Sequence, residues 1–243
     1  MLLTRFPIGG WRPNSDRQPL LWLRADQGIS VSAGKVVSWT DISGHGWVFD
    51  ARTSGNRPAY SATGWNSAQP GVVFGSAYTE MKNQAAGLAN LGTSLSVRVH
   101  AVWTVASHSS TQKFCAWINN GGGSGVYEIQ VNSSHNDEVA YSSGGTVHTG
   151  STLTGAHVTE HVMNQYSTGY TLSKIDGVGS ISSATSTPTS ATDTLIFGGN
   201  MITGSAALDG TVAEIVVYDT SAGDYDVADR FRAYAKSQWG GLS

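Results

Sequence analysis

The histidines of His157-Val-Thr-Glu160-His161 stand four residues apart. On a helix that spacing brings two imidazoles to one face, where they could ligate zinc. The order is not the His-Glu-x-x-His of a zinc hydrolase, and the segment reads better as a strand carrying His157, Thr159 and His161 on its polar face. Acid–base hydrolysis needs two converging carboxylates. Asp137 and Glu138 are adjacent, so a strand points them to opposite faces, and Glu214 stands alone in the apolar run Gly210–Asp219. It is either a buried acid or a carboxylate hydrogen-bonded at a sheet edge. No Gly-x-Ser-x-Gly elbow occurs, and Gly121-Gly-Gly-Ser-Gly125 lacks the Gly-Lys-Ser/Thr of a phosphate loop. Asp26 and Asp41, the latter opening Asp41-Ile-Ser-Gly-His-Gly46, are weak candidate oxygen ligands for calcium. An Asx-turn is the simpler account of Asp41.

A second chemistry suits the sequence better. Sugars present apolar C–H faces rimmed by hydroxyls, so sites for them pair exposed aromatic rings with amides and hydroxyls. Trp47, the pair Trp65-Asn66, Tyr78, and Asn164-Gln-Tyr166 fall between strand-like runs and are the candidate glycan contacts, whereas Trp22, Trp39, Trp103 and Trp117 fall within such runs and are candidate core.

Short strands separated by turn chemistry must position these residues. The clearest run is Leu95 to Val105, where Leu95, Val97, Val99, Ala101, Trp103 and Val105 share one face. Ser96, Arg98, His100 and Thr104 share the other, the period of a half-buried strand, with Val102 as an exception that implies partial cover. Further strands are expected at 20–23, 36–40, 72–74, 113–118, 126–131, 138–141, 157–163, 170–175, 194–197 and 211–218. Asp176-Gly177 marks a hairpin turn. Near the end, Val227, Phe231, Tyr234 and Ala235 recur at helical spacing between the capping residues Ser221–Asp224 and the stop Gly240-Gly241, which predicts a helix from about 224 to 238.

The 243 residues suit one all-β domain, with 14 basic and 17 acidic side chains. Nothing in that charge attracts nucleic acid or anionic lipid, and no apolar run is long enough for membrane insertion. Cys115 is alone, so no intrachain disulfide forms. Residues 1–19 mix Pro7, Pro13 and Pro19 with Arg5, Phe6, Ile8, Trp11 and Arg12. They are read as an extended arm outside the domain at 20–243, either a frayed end or an anchor on a partner. The start lacks the apolar core of a signal peptide, and synthesis in a cytoplasm without that export route is expected.

Several stretches together resemble the concanavalin A-like, laminin-G-like domains. They are Leu21-Trp-Leu-Arg-Ala-Asp26, Val37-Ser-Trp-Thr-Asp-Ile-Ser-Gly-His-Gly46, Arg57-Pro-Ala-Tyr60, Pro70-Gly-Val-Val-Phe74, and Gly210 to Asp219 followed by the helix and Trp239-Gly240. The resemblance implies a two-sheet antiparallel jelly-roll sandwich, of a kind found in bacterial surface and phage virion proteins, many of them glycan-binding. Hydrolases of that family carry a Glu-x-Asp-x-Glu type run, which this sequence lacks. Trp47 and Val48 depart from the family, standing where relatives carry small polar residues after the Asp-x-Ser-Gly turn. The resulting expectation is a non-catalytic virion surface protein of a bacteriophage (capsid decoration, head fibre or tail). It would oligomerise, contact other virion proteins through its arm, and bind glycans without an obligatory cofactor. A bacterial adhesion or carbohydrate-binding module is the alternative, and a glycan hydrolase a third, requiring a second carboxylate ~5–9 Å from Glu214.

Overall fold

In a computed structural model, residues 10–51, 53–75, 79–83, 96–106, 111–118, 125–132, 136–141, 146–152, 155–164, 171–182, 194–199, 207–221 and 225–242 are described. They form an antiparallel β-sandwich of two layers with one C-terminal helix. Seventeen strands are described: β1 Leu21–Arg24, β2 Ile29–Ser32, β3 Lys35–Thr40, β4 Val48–Asp50, β5 Ala59–Trp65, β6 Gln69–Phe74, β7 Met81–Asn83, β8 Ser96–Val105, β9 Gln112–Ile118, β10 Gly125–Val131, β11 Asn136–Tyr141, β12 Thr146–Thr152, β13 Gly155–Asn164, β14 Thr171–Ile175, β15 Val178–Ser182, β16 Thr194–Phe197 and β17 Gly210–Asp219. The helix, α1, is Ala228–Trp239.

One layer runs β2-β3-β4-β7-β16-β9-β10-β11-β12, and the other runs β5-β6-β17-β8-β13-β14-β15 with β1 beside the C-terminal half of β17. Among the described residues, the bridge Lys35↔Ala59 is the one pairing between the layers. The aromatic pair Trp103 (β8) and Phe114 (β9), ring centroids 4.4 Å apart, packs across the interior, and Trp39 of β3 donates its indole N–H to the Arg24 carbonyl of β1. Trp22, Trp39, Trp103 and Trp117 are all core, as their places in apolar runs predict. The Asp176-Gly177 hairpin also forms, with Asp176 at φ 50° and Gly177 at φ 90°, and Ile175 opposite Val178.

Three expectations are corrected. β8 is not half-buried: Arg98 and His100 on its polar face are covered, because α1 lies over them with Phe231 stacked on His100 at 4.9 Å. The helix begins at Ala228, about four residues later than its spacing predicts, since Asp226 accepts the Ala228 N–H and so makes the turn that starts it. Its end is as expected, with Gly240 at φ 58° donating to the Lys236 carbonyl. Residues 10–19 are not an arm outside the domain. Pro13 and Pro19 are buried, Tyr218 donates its hydroxyl to the Pro13 carbonyl at 2.7 Å, Trp11 meets Tyr234 edge-on at 6.0 Å, and Arg230 lies over the Trp11 ring and pairs with Asp16. The domain therefore uses this segment and α1 together to cover the outer face of β17 and β8.

The strands the alternation rule passes over are β2, β4, β5, β7, β12 and β15. Several are three to five residues long or rich in Ser, Thr and Gly, so they carry too few apolar positions to show a period.

Candidate functional site

Loop 41–48 joins β3 to β4 and is built around one carboxylate. Asp41 is 5 % exposed and accepts four hydrogen bonds: from the backbone N–H of Trp22 (2.8 Å), Ser43 (2.9 Å) and Gly46 (3.2 Å), and from the Ser43 hydroxyl (2.6 Å). Gly44 (φ 108°) and Gly46 (φ 72°) supply the left-handed backbone that such a tight wrap requires. Gln18, from the segment folded back over the domain, donates its amide to the Ser43 carbonyl at 3.0 Å. Asp41 thus makes the Asx-turn, and its oxygens are engaged by these four donors. Asp26 is likewise taken, bonded through both oxygens to the Arg24 guanidinium at 2.9 and 2.7 Å.

This wrapped loop presents Trp47. The indole is half-buried against the core and donates its N–H to the Leu20 carbonyl at 3.2 Å, which fixes the ring. The exposed His45 ring lies nearly parallel to it (22°, centroids 6.1 Å apart), and Val48, next in the chain, is 48 % exposed. A rigid aromatic ring beside an exposed imidazole is suited to the C–H face and hydroxyl rim of a sugar.

The other glycan candidates separate. Trp65 is fully buried at the end of β5, its indole N–H donating to the Trp239 carbonyl at 3.0 Å, so it belongs to the core and not to a binding loop. Asn66 is exposed in the turn after it, at φ 50°, beside Gly241 and remote from any exposed aromatic candidate among the described residues. Tyr78 and Tyr166 lie outside the described residues, as do Arg5, Phe6 and Ile8. Asn164 ends β13, but its side chain is outside the description. Trp11 packs within the domain, and Arg12 is exposed with its N–H bonded to the Ser15 hydroxyl. Gln18 and His45 were not singled out from sequence as glycan contacts, and Val48 only as a departure from the family pattern. The Gly-His-Gly spacing marks a turn, but only the packing of 10–20 onto the loop brings Gln18 there.

Two other constellations were tested by the fold. His157 and His161 do lie on a strand, but Thr159 and His161 are fully buried, so the face is interior rather than polar. The two rings take different partners: His157 Nδ1 is 2.7 Å from Asp176, and His161 Nδ1 is 3.3 Å from the Ser173 hydroxyl. Burial pushes His161 down to about 3. Glu214 is fully buried, at the centre of its sheet rather than at an edge, with β1 on one side of β17 and β8 on the other. Its carboxylate accepts from the indoles of Trp22 (2.5 Å) and Trp239 (2.5 Å) and from the Tyr234 hydroxyl (3.0 Å), opposite Arg24 in the strand register. Burial pushes Glu214 up to about 7, offset in part by these donors and by Arg24. The arrangement ties α1 to the sheet.

No family model and no curated protein matches this chain. Solved structures of similar fold include Trypanosoma rangeli sialidase in complex with sialic acid (TM-score 0.59, 13 % identity), of which the match covers 91 % of this chain and 33 % of the other. The botulinum neurotoxin type G receptor binding domain (0.59, 9 %) matches over 92 % of this chain and 54 % of that one. A botulinum neurotoxin type C structure, whose cell entry is described as dependent on two ganglioside molecules, matches at TM-score 0.61 and 10 % identity over 90 % and 51 %. The chain thus spans a third to about half of these neighbours. At such identities the likeness shows an all-β fold alone.

Proposed function

We propose that this chain is a non-catalytic, concanavalin A-like binding domain that presents loop 41–48 to a glycan, and that it serves as a surface protein of a bacteriophage virion, a capsid decoration, head-fibre or tail protein. The observation that carries the binding half is the His45–Trp47 platform: an aromatic ring left half-exposed although its loop is locked by four bonds to Asp41. A residue needed only for packing would turn inward, as Trp65 does. A fold neighbour in complex with sialic acid and another whose cell entry depends on gangliosides support glycan recognition on this architecture. The Glu214 environment supports the non-catalytic half, because its oxygens are bonded to three donors beneath α1, away from solvent. The virion half is supported by the family resemblance of the strands around Trp22, Trp39 and β17.

The alternative is a bacterial carbohydrate-binding or adhesion module. It is favoured by the docking of residues 10–19 onto their own domain, which takes Trp11 and Pro13 out of the expected anchor. The experiment is a glycan array with the full chain and Trp47→Ala, Trp47→Phe and His45→Ala, together with a chain lacking residues 1–9 tested for attachment to the particle. Loss of glycan binding in Trp47→Ala with retention in Trp47→Phe is expected. Detachment of the truncated chain from a phage particle supports the virion reading, and a free monomer with full glycan binding supports the module instead.

A further inference from the structure

We infer that the loop 41–48 site takes an uncharged sugar residue, and not a sialic acid, uronic acid or sulfated sugar. This rests on the glycan-binding reading of the site. The loop Asp41-Ile-Ser-Gly-His-Gly-Trp-Val48 contains two ionisable side chains, and one of them, Asp41, is a buried carboxylate around which the loop wraps. An anionic sugar on Trp47 would approach a loop that already holds a carboxylate.

Five donors of the loop and its neighbours are turned inward, while the His45 ring stays exposed. The N–H groups of Ser43 and Gly46 and the Ser43 hydroxyl point at Asp41, the Gln18 amide bonds the Ser43 carbonyl, and the Trp47 indole N–H bonds the Leu20 carbonyl. Tight recognition of carboxylate or sulfate needs charge-assisted donors, most often a forked guanidinium. Among the described residues, the cations on the flanking segments have contacts or places of their own. Arg17 lies over the Tyr225 ring at 5.4 Å, Arg24 is bonded to Asp26 and Tyr234, Lys82 is buried opposite Asp50 in the strand register, and Lys35 sits at the far end of β3 from the loop.

What the site does offer is apolar area and neutral polarity. The Trp47 face makes a shelf for the C–H face of a pyranose, and the exposed His45 ring borders it with nitrogens that pair with hydroxyls. Binding of this kind is insensitive to salt, whereas binding of an anionic sugar through ionic contacts weakens as salt screens them.

The test measures the full chain, Trp47→Ala and Trp47→Phe against immobilised lactose and its sialylated and sulfated derivatives, and against mannan, dextran, hyaluronan and heparin. Salt is varied from about 50 to about 500 mM, a range that takes the screening length well below the size of the site. The expected result is binding to one or more neutral glycans, unchanged within about twofold across that salt range and weakened by about tenfold or more in Trp47→Ala, with the charged derivatives bound no more tightly. Preference for the charged derivatives, falling steeply with salt and lost in Trp47→Ala, overturns the uncharged-ligand inference and leaves the site standing. Binding that survives in Trp47→Ala, or no binding to any glycan of either class, overturns the site itself and the inference with it. A thermal melt of each variant separates loss of the platform from loss of the fold.

Discussion

Substituting Glu214 by Gln should make the protein's stability less dependent on pH, by an amount that follows from burial. An ordinary glutamate carboxyl titrates at 4.5, and burial among Trp22, Tyr234, Trp239 and Arg24 pushes this one up to about 7. Between those values the folded chain holds a proton that the unfolded chain releases, so the wild type loses stability as pH rises through the window. At about 1.4 kcal/mol per pH unit the full loss is about 3 kcal/mol. The Gln variant has no such loss. It keeps one oxygen for Trp22 and Tyr234 but sets an amide N–H₂ against the Trp239 indole N–H, a donor facing a donor, at a cost of about 1–3 kcal/mol that does not vary with pH. Wild type should therefore exceed Glu214→Gln in stability most at about pH 4.5, and the difference should shrink by about 3 kcal/mol by about pH 8. Urea titrations of both proteins across that range, followed by tryptophan fluorescence, measure the difference directly. Titrations of the buried histidines, common to both proteins, cancel in it. A difference that grows with pH would refute the reasoning, because it would mean that the three donors and Arg24 outweigh burial and hold the carboxyl below 4.5.

His161 should act with the opposite sign. Held neutral in the core at about 3 against an ordinary 6.5, it contributes stability that is present above 6.5 and lost as pH falls through the window. The full size is about 5 kcal/mol, and His161→Gln should flatten the acid limb of the urea midpoint. His100, lowered by burial and by Arg98, His161, Lys174 and Arg232 around it, adds to the same limb. Asp41→Ala should unwrap loop 41–48 by leaving three backbone N–H groups and a hydroxyl without their acceptor. A loss of about 2–4 kcal/mol is expected by chemical denaturation, with glycan binding falling more than in His45→Ala. Removing residues 10–19 along with 1–9 should lower the melting temperature, since it uncovers Tyr218 and Tyr234. An unchanged melt would show that the segment contributes nothing to the fold.

Residue order by itself marked an all-β chain of short strands, and the family resemblance supplied the sandwich. Alternation in Leu95–Val105 marked which side chains share a face, Asp176-Gly177 marked a hairpin through its tolerance of positive φ, and Gly240 marked the end of α1 for the same reason. Periodicity of this kind is local, and it says which residues lie together but not what lies over them. Only the tertiary structure decided that Arg98 and His100 are covered, that Trp65 is core while Trp47 is half-exposed, and that Trp11 and Pro13 belong to the domain rather than to a tether. Each of those outcomes depends on α1 and residues 10–19 returning across the sheet from opposite ends of the sequence. The candidate site divides in the same way: the Asx-turn at Asp41 was legible, whereas the hold on the His45–Trp47 pair, through Gln18 on the Ser43 carbonyl and the Leu20 carbonyl on the Trp47 indole, exists only because the segment before β1 packs against the loop after β3.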